Sequence, residues 1–268
     1  MIPLKDYNPT RHFPYVTVVL IALNIVVFLF VQRPTESDDS EQARFAYRYA
    51  AIPCEVVEGR PLSEEEIGRT IDSRIGDDTA CDRTSPLTRR DGYFPDKQVW
   101  LAVLYSMFLH GGFLHLGGNM LFLWIFGDNV EHRIGHGLYL VFYVVAGIIA
   151  SFAQILVDTG SVIPTLGASG AISGVLGAYL VMFPTNRVTV FLFRVLLPVP
   201  AIVAIGMWAV LQFINGLGAF AVSEETAGGV AYMAHIGGFV AGVVAGIAFR
   251  AIFNEPRHPR GTLAASFR

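Results

Sequence analysis

The chain has 268 residues, 53% hydrophobic and only 15% charged, well below the ~25% charge of soluble domains, and its mean hydropathy of +0.50 predicts a polytopic membrane protein. A net charge of -3 leaves no basic stripe to neutralise phosphates, which argues against a nucleic-acid partner. Membrane lipid is the first expected partner.

Residues 1–14 read as a cytoplasmic tail ahead of a first apolar run, Tyr15–Val31, close to the about 20 residues that cross a bilayer. No small-residue cleavage site follows, because Val31-Gln32-Arg33-Pro34 leads straight into a polar segment, so this run is expected to be a retained helix over 15–31. Residues 32–98 form a long insertion with ten basic and fifteen acidic side chains. It contains Pro53, Pro61, Pro86 and Pro95, and a stretch Leu62–Ile75 whose Ser63-Glu64-Glu65-Glu66 start resembles a capped short helix. The apolar stretch Gln98–Leu109, carrying Trp100 and Tyr105, is interrupted by Gly111-Gly112 and reads as an interfacial or re-entrant piece. Five more spans are expected at Leu114–Arg133, Leu138–Val157, Ala168–Pro184, Val195–Leu217 and Gly229–Phe253, with residues 254–268 as a second cytoplasmic tail. The predicted fold is an all-α membrane protein, a six-transmembrane-helix bundle whose core spans residues 99–253 behind a large first loop.

Orientation follows from the short loops. Lys5, Arg11, Arg133, Arg187, Arg194, Arg250, Arg257, Arg260 and Arg268 share one side, whereas the connections between spans three and four and between five and six carry no Lys or Arg. The positive-inside rule then puts both termini in the cytoplasm of a multi-pass protein of the plasma (inner) membrane. The 32–98 insertion is net negative and long enough to translocate regardless of charge, so it belongs outside. Cys54 and Cys81, the only two cysteines, both fall in it, where an oxidising compartment permits a disulfide. Two free thiols or a metal pair are the alternatives.

Polar groups in hydrocarbon are costly without partners and a purpose, which singles out Ser169 and His235. With six spans, the second, fourth and sixth run in the same direction, and Asn119, Ser169 and His235 lie about 8–9 Å below their outer ends at 1.5 Å rise per residue. Gly170, Gly174 and Ala178 form a small-residue ridge on one span, and Gly238, Gly242 and Gly246 form another, so spans four and six are expected to pack closely. That contact would bring Ser169 and His235 within hydrogen-bond reach as a Ser-His dyad. No carboxylate completes a triad: Asp128, Glu131 and Asp158 sit at span ends, the first two on the opposite side. His115 and Asn119, i and i+4 on one helical face, and the Ser169 backbone N–H at a helix start are candidate oxyanion donors.

The bland readings stand beside these. An isolated serine in such a segment is most often a small residue at a tight crossing, and His115 and Asn119 could be interhelical glue, as Asn24, Gln154, Gln212 and Asn215 are expected to be. His132 and His136 have metal-pair spacing with Glu131 beside them, but a solvated loop end alongside Arg133 is the favoured reading. No His-Glu-x-x-His helix is present, and a Gly-x-Ser-x-Gly elbow would need glycine at Ala171. No cofactor or metal is expected.

Four blocks now occur in order: Ser106-Met107-Phe108-Leu109-His110-Gly111-Gly112-Phe113-Leu114-His115-Leu116-Gly117-Gly118-Asn119, then Gly127-Asp128-Asn129-Val130-Glu131, then Gly167-Ala168-Ser169-Gly170-Ala171-Ile172-Ser173-Gly174, then Ala234-His235-Ile236-Gly237-Gly238. Together they resemble the rhomboid family of intramembrane serine proteases over most of residues 99–253. The resemblance implies a rhomboid-like bundle, Ser169 as nucleophile, His235 as general base, and His115, Asn119 and the Ser169 amide as the oxyanion site. His110, Gly167 and Gly170 are then supporting residues. It further implies single-span transmembrane substrates, a small residue before the scissile bond, and lateral entry past span five near Met207, Trp208 and Phe213. Two features depart from the family pattern: Trp100 is followed by Leu101 rather than arginine, and one turn after Ser169 stands Ser173 rather than an aromatic ring. A catalytically inactive relative that binds transmembrane helices, and an unrelated channel or carrier, are the competing functions. An inactive relative would be expected to lack Ser169 or His235, and a carrier to show paired charges or broken helices.

Overall fold

The computed structural model describes residues 2–8, 10, 12–32, 39–67, 92–192, 194–219 and 231–253. In chain order the elements are β1 (Ile2–Asp6), α1 (Tyr15–Val26, continuing as a π-helix over Val27–Gln32), α2 (Asp39–Tyr49), α3 (Pro53–Glu58), α4 (Val99–Ser106), α5 (Phe113–Ile134), α6 (His136–Val157), α7 (Ser169–Met182), β2 (Arg187–Leu192), β3 (Val195–Pro200), α8 (Ala201–Ala219) and α9 (Tyr232–Ile252). Among the described residues, three helices, Tyr15–Gln32, His136–Val157 and Tyr232–Ile252, are long and apolar enough to cross a membrane. Ser169–Met182 and Ala201–Leu217 are shorter apolar helices. Their lipid-sized side chains face outward, as Leu156, Leu217, Val244 and Ile252 do, each more than 60% exposed.

Helix α7 is the hub. Gly170, Ser173, Gly174, Gly177 and Ala178 give it a surface with almost no side chains, so its neighbours come to backbone contact, and nearly the whole helix is buried. A Cβ added at Gly238 would lie 2.1 Å from the Gly170 carbonyl oxygen, and one at Gly242 would lie 1.9 Å from that of Gly174. Gly246 meets Ala178 in the same way. The two ridges expected from the sequence thus interlock, and α9 packs on α7 through backbone rather than side chains. Around this contact, Phe126, Tyr139, Tyr143, Leu176 and Tyr179 fill the core.

The all-α expectation needs correction. A three-stranded antiparallel sheet in the order β1-β2-β3 closes the end of the bundle opposite Ser169. Val195–Pro200, read from hydropathy as the start of span five, is strand β3, and the helix begins only at Ala201. Pro198 and Pro200 explain the change, since proline removes a helix hydrogen bond but is tolerated on an edge strand. Residues 2–6 of the expected N-terminal tail form the other edge, anchored where Asp6 accepts hydrogen bonds from Asn129 Nδ2 at 2.9 Å and Tyr179 OH at 2.6 Å. Burial pushes the Asp6 carboxyl above its ordinary range.

Glu131 also differs from its expected place at a solvated end. It is 1% exposed and accepts the Val16 and Thr17 backbone N–H groups at 2.8 Å each, with the Thr17 hydroxyl at 2.7 Å. A carboxylate on α5 therefore caps α1, supplying the acceptors that a helix N-terminus lacks within itself. His136 Nδ1 lies 2.5 Å from the same carboxylate.

The segment between α1 and α4 is ordered where described. Ser63 and Glu66 form the reciprocal capping box anticipated from sequence, with Ser63 N–H donating to Glu66 Oε2 at 2.8 Å and Glu66 N–H to Ser63 Oγ at 3.3 Å. Ile52, Cys54, Leu62 and Ile67 cluster with Val162, which comes from the connection between α6 and α7. Beneath them Lys97 Nζ lies 2.5 Å from Glu55 Oε2 and donates to the Tyr47 carbonyl at 2.6 Å. Burial pushes the Glu55 carboxyl up and the Lys97 ammonium down, each opposed by the partner's charge. Cys54 is buried. Cys81 lies outside the described residues, and its pairing with Cys54 is a proposal.

Candidate active site

The chain entering α7 sets the nucleophile's geometry. Gly167 has φ +132°, a conformation side chains rarely adopt, and its N–H donates to the Ser106 carbonyl oxygen at 2.8 Å. The backbone thus turns sharply into Ser169, the first residue of the helix, whose N–H is among those a helix start leaves without an internal acceptor. Gly170, next along, is pressed against α6, where an added Cβ would meet Ala150 Cβ at 2.6 Å.

His235, in the first turn of α9, presents Nε2 to Ser169 Oγ at 2.8 Å. The pairing predicted from two distant motifs is present, and it is held by the interlocked glycines just below it. His235 Nδ1 lies 2.7 Å from Oε1 of Gln212 on α8. The sequence reading assigns Gln212 to generic interhelical glue, since nothing in a lone amide within an apolar helix names its partner. Gln154 does act as such glue: its Oε1 accepts the Ala234 N–H at 3.3 Å, serving a donor in the first turn of α9.

His115 and Ser169 converge on Gly167. A Cβ built there would lie 3.1 Å from His115 Nε2 and 3.4 Å from Ser169 Oγ. The Gly111 N–H donates to His115 Nδ1 at 3.2 Å, which leaves Nε2 as the protonated nitrogen facing the serine. Asn119 lies one turn further along α5, 8% exposed, and its Nδ2 has no acceptor among the described residues. His110 is fully buried, its ring centroid 5.2 Å from that of His115. Its backbone is pinned by Gln32 at the end of the π-helix: the His110 N–H donates to Gln32 Oε1 at 3.0 Å, and Gln32 Nε2 donates to the His110 carbonyl.

Ser106 joins the insertion to this site. Its Oγ accepts the Ala51 N–H at 2.6 Å while its carbonyl accepts Gly167 N–H, and Ala51 O receives both the N–H and the hydroxyl of Thr165. Long-range backbone contacts of this kind leave no local pattern, and the sequence reading assigned the insertion no task. On the far side, Trp208 of α8 turns its ring toward His235, centroids 6.1 Å apart, while Met207 and Phe213 are exposed. Ser173 Oγ donates back to the Ser169 carbonyl at 2.6 Å, so α7 offers no ring to His235.

Fold and site together define a multi-pass helical membrane protein with a partly buried serine–histidine pair. The chain belongs to the rhomboid family: the Rhomboid domain model matches residues 96–252, more than half of it. It is 33% identical over 150 residues to "Rhomboid protein 1, mitochondrial" of Saccharomyces cerevisiae, covering 54% of this chain and 41% of that protein. Over 149 residues it is 38% identical to "Rhomboid protease GluP" of Bacillus subtilis, covering 56% of this chain and 26% of the relative. The human "Presenilin-associated rhomboid-like protein, mitochondrial" is 34% identical over 96 residues, 35% of this chain and 25% of that protein. The match therefore spans less than half the length of each of these relatives.

Proposed function

We propose that the protein is an intramembrane serine endopeptidase that cleaves single-span membrane proteins near the outer face. The observation that carries this reading is the 2.8 Å contact between Ser169 Oγ and His235 Nε2 inside a helical bundle. As Ser169 Oγ attacks the scissile carbonyl carbon, its proton passes to His235 Nε2. The developing oxyanion is met by His115 Nε2–H, the Asn119 amide and the Ser169 N–H. His235 then returns the proton to the departing amine, and water hydrolyses the acyl-enzyme by the same route. A small cleft beside Ser169, whose lining includes Ser106, Ser151, Gln154 and Thr165, gives water a place next to the nucleophile.

The topology that goes with this activity has six spans, both termini in the cytoplasm of the plasma membrane, and the 32–98 insertion outside. The short-loop Lys and Arg asymmetry supports it, as do three helices long enough to cross a membrane and two shorter apolar helices at expected span positions. Substrate segments must expose carbonyls that a regular helix hides, so helix-weakening Gly or Pro near the outer face is required of them.

Reconstitution with a tagged single-span substrate tests the reading. Ser169→Ala is expected to abolish cleavage and leave thermal unfolding unchanged, and His235→Ala to do the same. Undiminished cleavage by Ser169→Ala would remove the dyad, and absence of cleavage by the wild-type protein would leave helix binding as the function.

A further inference from the structure

A histidine that serves as base to a serine must be in one tautomer, with Nε2 free toward the hydroxyl and Nδ1 protonated on the far side. Something has to accept that Nδ1 proton. The acids that the core offers are engaged at the other end of the bundle, Glu131 on α1 and Asp128 on Asn129. The group at His235 is an amide: Gln212 Oε1 lies 2.7 Å from Nδ1. An amide oxygen can only accept, so the contact selects the Nδ1–H form and leaves the Nε2 lone pair facing Ser169 Oγ. A neutral acceptor also avoids burying a carboxylate beside a base that is uncharged at rest.

Gln212 follows Trp208 by one helical turn, and both reach His235 from α8. From α7 there is no equivalent support, because Ser173 is bonded back to the Ser169 carbonyl. Among the described residues, the titratable groups facing His235 are His115 from α5 and Tyr232 from α9, the latter ring 6.4 Å away. We propose that Gln212 is the positioning residue of the dyad, an α8 amide that holds His235 in the tautomer able to take the Ser169 proton. The proposal rests on the reading of Ser169 and His235 as nucleophile and base.

Labelling of the full-length protein with a small fluorophosphonate tests it without a protein substrate. In that reaction Ser169 Oγ attacks phosphorus, fluoride leaves and His235 takes the hydroxyl proton. Gln212→Met, similar in length but unable to accept, is expected to slow labelling about tenfold, the scale of one lost hydrogen bond. Gln212→Glu is expected to recover most of the rate and to move the acid limb of its pH profile to higher pH, because a carboxylate at that place favours the imidazolium. Wild-type rates and profiles in both variants would overturn the assignment while leaving the dyad standing. A loss in Gln212→Met that Gln212→Glu does not restore would also overturn it, reducing Gln212 to packing. Failure of the wild-type protein to label at Ser169 would overturn the dyad itself.

Discussion

Asn119 carries a donor that the fold leaves unused: Nδ2 is buried and meets no acceptor among the described residues. Such a group is retained at a cost of about 1–3 kcal/mol unless it acts on something that comes and goes. Asn119→Ala is expected to lower kcat roughly 10²-fold with KM little changed, the scale of one lost oxyanion donor. A rise in KM at constant kcat would reassign the side chain to substrate binding or packing. Residue identity at this site is legible from sequence because Ser169, His235, His115 and Asn119 are polar intrusions in apolar segments at matching depth. Gln212 and Gln32 are polar intrusions too, but each acts on a partner far away in the chain, His235 and the His110 backbone, which a linear pattern does not contain. Glu131 misled in the opposite direction, since a carboxylate two residues before Arg133 looks solvated until the end of α1 is seen to need it.

Helices α7 and α9 touch through Gly238 and Gly242, where any Cβ would overlap a carbonyl oxygen. Gly242→Ala is expected to destabilise the protein by about 1–3 kcal/mol, the usual penalty of overpacking. Gly206→Ala on α8, where nothing lies within 4 Å, is expected to be neutral or stabilising by up to ~1 kcal/mol. Thermal unfolding of the two variants side by side distinguishes a steric contact from a general glycine effect. In the insertion, Lys97→Met leaves Glu55 buried without its counter-charge and is expected to cost about 3–5 kcal/mol. Limited proteolysis of residues 39–98 reads that loss, and Glu55→Gln added to Lys97→Met should recover part of it. The elements themselves were largely legible, because long apolar runs and small-residue ridges announce membrane helices. Hydropathy alone did not separate strand β3 from helix α8, and the prolines at 198 and 200 were the overlooked signal.

At the scale of the whole molecule, the insertion and the site form one connected body through Ala51, Ser106 and Thr165. The disulfide proposed between Cys54 and Cys81 would close a loop worth around 3 kcal/mol in the chain-entropy model, and mass spectrometry of non-reduced peptides is its test. Two alkylatable thiols in protein taken from membranes without reductant would refute it. A substrate whose outer half-span is rebuilt from leucine is expected to resist cleavage, and equal cleavage would sink the requirement for unwinding. The backbone-to-backbone seating of α9 on α7 has a final consequence. No rotamer change can open it, so the serine and histidine stand together before any substrate arrives. A protease of the kind proposed, armed at rest in this way, would be restrained by admission alone: which polypeptides it destroyed would be decided by how rarely a membrane segment comes apart within its reach.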